Sequence, residues 1–215
     1  MTCDNPEKGA MSPEKSYRFA DTAANIFAPI YPVIASQIIE RTGVTEGIGL
    51  DIGSGPGDLA LSVAKLTSLK VYALDISPDM FLIVSEKVQS QQMVERVVPI
   101  LGDVHKMEFS DSFIDIIVSR GSFFFWEDLN RAFSEVYRVL SPDGYAYIGS
   151  GFGSAALRDR IVPEMNRTEP DWKKGDQHRA SQCEPDMLAK ILQRAGFKDF
   201  SFIQDDSGFW MVIKK

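Results

Sequence analysis

Five short aliphatic runs recur through the middle of the chain, and helical patterns lie between them. The runs are 48–52 (IGLDI), 70–75 (KVYALD), 97–101 (VVPIL), 113–119 (FIDIIVS) and 144–151 (GYAYIGSG). One intervening helix opens on Ser77-Pro78, a cap residue with Pro at the first helical position, and carries Phe81, Val84 and Val88 on one face. Another spaces Leu129, Ala132, Phe133, Val136 and Leu140 helically and stops at Ser141-Pro142-Asp143-Gly144. Strand–helix alternation of this kind builds βαβ crossovers, and hence a parallel sheet covered on both faces.

The ends of the chain depart from the alternation. The first 15 or so residues are polar and rich in Pro and Gly, which predicts a loose tail. A helix with Pro32, Val33, Ile34, Ile38 and Ile39 follows and ends at Gly43. Near the other end, Glu184-Pro185-Asp186 opens a helix that turns Met187, Leu188, Ile191, Leu192 and Ala195 inward and stops at Gly196. Two strands, 197–204 and 208–213, flank a turn at Asp205-Asp206-Ser207 and form an antiparallel hairpin. At 215 residues the chain makes a single domain. Its expected parts are a tail and covering helix (1–44), a core (45–151), a charged segment with the character of a lid (152–182), and the final helix and hairpin (183–215).

Charge and cysteine content narrow the partners. With 23 basic and 30 acidic residues the net charge is −7, the wrong sign for gripping a phosphate backbone or an anionic membrane. Cys3 and Cys183 do not make a disulfide framework, the start of the chain has no secretory pattern, and no run reaches the roughly 18–20 apolar residues of a membrane span. The expectation is a cytoplasmic protein, monomer or homodimer, with neither nucleic acid nor membrane as partner.

The segment LDIGSGPGDLA, 50–60, carries the chemistry. A strand runs into Gly53-Ser54-Gly55-Pro56-Gly57 and then into a helix, so the backbone turns sharply at the sheet edge where α/β folds bind ligands. The dinucleotide fingerprint G-x-G-x-x-G does not fit, because Asp58 stands where its third glycine belongs and would repel a pyrophosphate. Asp51 before the loop points to a ligand with a positive group. Asp75 ends the second strand at the place where an acid accepts ribose hydroxyls. Gly102-Asp103-Val104 follows the third strand; Asp103 is either an acceptor for the amine of adenine or a turn residue.

Taken in order, LDIGSGPG, VYALDIS, LGDVHKMEF, FIDIIVSRGSFFFWED and RVLSPDGYAYIG resemble the motifs of the class I S-adenosylmethionine-dependent methyltransferases. The resemblance implies a Rossmann-like, doubly wound α/β fold: seven strands, mostly parallel, with an antiparallel C-terminal strand. It implies S-adenosylmethionine as cofactor and S-adenosylhomocysteine as its product. By position, Asp51 then lies near the methionine ammonium, Gly53, Ser54, Gly55 and Gly57 approach the methionine and ribose, and Asp75 holds the ribose. Ile76 and Met80 pack on adenine, Gly102, Asp103 and Val104 meet its edge, and Ser119, Arg120 and Gly121 contact the methionine by backbone.

The family's base- and amide-methylating branch carries Asn-Pro-Pro-aromatic after the fourth strand; this chain has Ser119-Arg120-Gly121-Ser122-Phe123-Phe124-Phe125-Trp126, which looks like the small-molecule branch. Candidate acceptor-pocket residues are Tyr17, Tyr31, Arg120, Trp126, Phe152 and His178, and no catalytic base stands out. His178 and Cys183 fall short of the usual metal-ligand number, so no metal is expected. Two other functions fit less well: a non-catalytic regulator that kept the binding site, and an NAD-dependent oxidoreductase.

Overall fold

A computed structural model describes residues 12–169 and 184–215. Seven strands form one sheet in the order β3-β2-β1-β4-β5-β7-β6. They are β1 (Ile48–Ile52), β2 (Lys70–Asp75), β3 (Val97–Leu101), β4 (Ile114–Arg120), β5 (Leu140–Gly151), β6 (Asp199–Asp205) and β7 (Gly208–Lys214). The first five pair in parallel, and β7 inserts antiparallel between β5 and β6. The reversal of strand order lies between β1 and β4, so the loops after these strands form the crevice.

Helices cover both faces. On one side α2 (Ile30–Thr42), α3 (Asp58–Leu66), α4 (Pro78–Ser90) and α6 (Ala155–Thr168) bury Ile34, Ile38, Leu61, Val84 and Ile161 against the faces of Val71, Ile116 and Tyr147. On the other, α5 (Leu129–Val139) and α7 (Pro185–Ala195) bury Phe133, Val136, Leu188 and Leu192 against Leu50, Ile117 and Ile148. Ser77, an expected cap, accepts from Met80 N–H at the start of α4; Asp128, not singled out in the sequence, accepts from Arg131 N–H at the start of α5. Gly43 and Gly196 end α2 and α7 with φ of +70° and +109°.

Four expectations need correction. Residues 13–15 are helical rather than part of a loose tail, because α1 (Pro13–Thr22) begins on Ser12-Pro13, and a π-helical turn, Ala23–Phe27, links it toward α2; residues 1–11 lie outside the described residues. Leu140 leaves the helical stripe and starts β5, since the helix already ends at Val139 and Asp143 takes φ of +62° to continue into the strand. Met187 is 42% exposed, because Leu188, Ile191 and Leu192 already fill the buried face of α7. The last two strands begin at Asp199 and Gly208 and run one residue beyond their expected ends. Of the charged segment 152–182, residues 155–168 form α6, with Ile161 and Met165 in the core; residues 170–183, with His178 and Cys183, lie outside the described residues.

Candidate cofactor and acceptor site

The turn from β1 to α3 is built on three left-handed glycines, Gly53, Gly55 and Gly57, with φ of +64°, +52° and +78°. A side chain at Gly53 would meet Ser122 at 2.3 Å, and one at Gly57 would meet Val84 at 3.0 Å. The conformation and the close packing both require glycine here. Ser122 makes the approach specific: its hydroxyl donates to the carbonyl of Ile52 at 2.9 Å and therefore accepts from Ser119 Oγ at 2.6 Å. Ser119 and Ser122 thus stitch the loop after β4 to the end of β1. Ser122 had no sequence signal of its own.

Two acids flank this turn. Asp51 is 1% exposed, and its Oδ2 accepts from Ala60 N–H at 3.1 Å, in the first turn of α3. Burial holds its carboxyl well above the usual range, opposed by the Ala60 bond and reinforced by the charges of Asp75 and Asp58. A cation beside it would restore the charged form. Asp75 accepts from Gly55 N–H at 2.8 Å through Oδ2 and from Ser77 N–H at 2.9 Å through Oδ1. Burial raises its pKa while these N–H groups lower it. Each oxygen keeps acceptor capacity for a hydroxyl. Asp75 therefore sets the loop, a duty that position alone did not indicate. Asp58 meets Lys87 Nζ at 2.9 Å, which answers the charge that argued against a pyrophosphate.

The residues present suit S-adenosylmethionine by one further observation. Ser54 Oγ, in the middle of the glycine turn, is buried without a hydrogen-bond partner among the described residues. An orphaned buried hydroxyl costs about 1–3 kcal/mol, a cost that a polar ligand at the turn removes. Beyond β2, Ile76 is 48% exposed and offers an apolar shelf. Gly102 N–H donates to Asp75 O at 2.9 Å and draws the loop after β3 beside that shelf. Asp103 there is half-exposed, whereas Val104 and Met80 are buried and Met80 presents no surface at all. Met80 is thus a wall behind the shelf in this structure, because it occupies the inward face of α4.

Arg120 ends β4. Its Nε donates to Gly151 O at 3.0 Å, and its guanidinium lies 5.0 Å from the Phe27 ring and 5.7 Å from the Tyr31 ring. Tyr31 is 7% exposed. Burial pushes its hydroxyl up to about 12, with the Arg120 guanidinium acting in the opposite direction. Phe152 lies 6.5 Å from Phe27, so Tyr31, Arg120 and Phe152 come together at the ends of β4 and β5. Gly121, at φ of +76°, donates to Gly149 O at 2.7 Å and turns the chain away from them.

Trp126, another expected pocket residue, does not join this group. Trp126 is 8% exposed and packs 5.6 Å from Phe133, because the short 3₁₀ turn Phe123–Phe125 swings it under α5. Phe125, by contrast, is 73% exposed. Tyr17, on α1, is 56% exposed. His178 lies outside the described residues. Among those described, no group of three or more His, Cys, Asp or Glu side chains could hold a metal. The residue missed altogether is Phe19: its ring carbon comes within 3.3 Å of where a Gly55 side chain would begin, so α1 lies over the glycine turn. The Ser-Pro pair that starts α1 is the same signal that revealed α4.

Residues 50–148 match a methyltransferase-domain family. A Methanococcus maripaludis protein described as an S-adenosyl-L-methionine-dependent methyltransferase is 40% identical with a TM-score of 0.92; the match covers 100% of this chain and 97% of that one. The demethylmenaquinone methyltransferase of Chlorobaculum tepidum is 36% identical over 99 residues, 46% of this chain and 38% of that protein. The rat mitochondrial arginine-hydroxylase NDUFAF5 is 28% identical over 163 residues, 74% of this chain and 44% of that protein. This chain thus matches about two fifths of the length of these curated relatives. With the glycine turn, the two acids and the inserted β7 in place, the chain belongs to the class I S-adenosylmethionine-dependent methyltransferases.

Proposed function

We propose that the protein transfers the methyl group of S-adenosylmethionine to a small-molecule acceptor by in-line displacement. The carrying observation is the glycine turn: three left-handed glycines, an orphaned Ser54 hydroxyl, and Asp75 poised on Gly55 N–H. When bound, the cofactor supplies a methyl group made electrophilic by its sulfonium. The chain's own part is to bind, orient and exclude water. Asp51 and Asp75 present negative charge to a cationic, ribose-bearing ligand. Phe27, Tyr31 and Phe152 supply apolar walls, and Arg120, held by Gly151 O, places a fixed positive charge among them. Proximity and orientation can contribute about 7–11 kcal/mol to such a transfer.

Tyr31, with its pKa near 12, is protonated at neutral pH and holds its proton rather than accepting one. The Nε2 of His105 is committed to Asp128 N–H. Neither group is therefore placed to take a proton from the acceptor. The Chlorobaculum relative, named for a demethylmenaquinone substrate, supports a small-molecule acceptor, as does the absence of an Asn-Pro-Pro-aromatic motif after β4. We place the protein in the cytoplasm, as a monomer or homodimer without nucleic-acid or membrane partners; no single described helix is long and apolar enough to cross a membrane.

Calorimetric titration tests the cofactor. S-adenosylhomocysteine should bind and NAD should not, and Asp75→Ala should weaken binding roughly tenfold or more, as loss of hydrogen bonds to a charged group does. An unchanged affinity in that variant would refute the site. Incubating the protein with methyl-labelled cofactor and a metabolite extract tests the acceptor. Label in low-molecular-weight products supports the reading; label in protein or nucleic acid overturns the acceptor class. Arg120→Met should raise the acceptor KM while leaving S-adenosylhomocysteine affinity within about threefold, a difference under ~1 kcal/mol.

A further inference from the structure

We infer that His105 is a positioning residue for nucleobase recognition, fixing one oxygen of Asp103 so that the other reads the amine of adenine; the inference rests on the cofactor site proposed above. Asp103 Oδ1 takes two bonds from the same residue, from His105 N–H at 2.9 Å and from its Nδ1 at 2.6 Å. Oδ2 has no hydrogen bond among the described residues, and the Asp103 side chain is 45% exposed. The imidazole is 16% exposed and held from its far side: Asp128 N–H donates to Nε2 at 3.2 Å.

That last bond determines the tautomer. A backbone N–H can only donate, so Nε2 carries a lone pair and the ring proton resides on Nδ1. Nδ1–H then donates to Asp103 Oδ1. The arrangement is pinned again where Arg131 Nε donates to His105 O at 2.9 Å and where Asp128 caps α5 by accepting from Arg131 N–H at 3.1 Å. A simple turn would need only the bond from His105 N–H to Asp103. The ring bond, the tautomer lock and the Arg131 contact add a rigid support from α5.

The result is a carboxylate with one oxygen immobilised and one open, beside the loop that Gly102 N–H ties to the end of β2. An open carboxylate oxygen accepts from an exocyclic amine and repels a carbonyl. Adenine carries the amine at that edge and hypoxanthine a carbonyl. His105 thereby contributes discrimination between nucleobases without touching the ligand.

The test compares S-adenosylhomocysteine with S-inosylhomocysteine by calorimetry on the full chain. The wild type should prefer the adenine compound. His105→Ala should reduce that preference roughly tenfold, and His105→Asn, whose amide N–H can take the place of Nδ1–H, should restore most of it. Equal weakening of both ligands in His105→Ala, or an unchanged ratio, overturns the proposal. Nitrogen-15 spectra of the wild type at pH 7.5 give a reading independent of variant folding: a protonated Nδ1 and bare Nε2 are expected, and the opposite tautomer overturns it. If the wild type binds neither nucleoside, the cofactor reading itself fails, and that outcome is distinct from all the others.

Discussion

A carboxylate buried beside a glycine turn has a measurable cost when the site holds no cation. Asp51 is 1% exposed, and burial raises its pKa. A carboxyl whose pKa is higher in the folded than in the unfolded state binds its proton more tightly when folded. Stability is therefore lost as pH rises from the ordinary carboxylate range through the raised value. Asp51→Asn removes this dependence and can still accept from Ala60 N–H. The variant should match the wild type near pH 4 without ligand. At pH 7.5 it should melt about 2–4 °C higher, the shift that ~1 kcal/mol produces in a domain of this size. It should also bind S-adenosylhomocysteine more weakly. A wild type that is the more stable protein at pH 7.5 would contradict the account. At this scale the sequence marked Asp51 and Asp75 as the acids at the sheet edge beside the glycine turn, because residue type and place on a strand determine what an acid can reach. It did not show their partners. The bond from Asp75 to Gly55 N–H, the pairing of Asp58 with Lys87, and the burial of Trp126 depend on contacts between residues distant in the chain.

Elements were legible where local chemistry and periodicity agreed. Ser77-Pro78, Gly43 and Gly196 marked helix ends that the structure keeps. The same logic applied to Ser12-Pro13, but polar composition hid it, and α1 lies with its Phe19 ring over the glycine turn. The helix is anchored at its outer side by Arg18 and Glu169, an ion pair at 3.0 Å whose Arg side chain is 63% exposed. Such pairs contribute about 0–1 kcal/mol, so this one adds little to the hold on α1. Phe19 is the contact that closes the turn, and it is 36% exposed. Phe19→Ala should accelerate S-adenosylhomocysteine dissociation roughly tenfold, equivalent to about 1.4 kcal/mol, with little change in the urea midpoint. Stopped-flow displacement measures this. A dissociation rate equal to wild type would show that α1 merely rests on the loop.

The whole molecule separates a scaffold from a site. The scaffold closes through β7, where Gly149 and Gly151 let the final hairpin approach β5. A side-chain carbon at Gly149 would lie 2.1 Å from Phe209 O, and one at Gly151 would lie 2.0 Å from Ser207 O. Neither glycine has a positive φ, so space alone demands them. Turn chemistry and periodicity indicated the hairpin, and the resemblance to the methyltransferases indicated the antiparallel insertion of the last strand, which the structure places between β5 and β6. Scaffold and site should respond oppositely to ligand. Saturating S-adenosylhomocysteine at one hundred times its Kd adds about 2.7 kcal/mol to stability. For a domain of this size that is a rise of roughly 5–10 °C in Tm. Gly149→Ala should lower the ligand-free Tm, because overpacking costs about 1–3 kcal/mol, yet keep most of the ligand-induced rise. Asp75→Ala should lose most of the rise at the same ligand concentration. Thermal scans with and without ligand measure both quantities on each protein. If the two variants lost the ligand-induced rise equally, the glycine turn and the hairpin would behave as one cooperative unit. The division between a binding crevice at β1, β2 and β4 and a closing scaffold at β5–β7 would then be wrong.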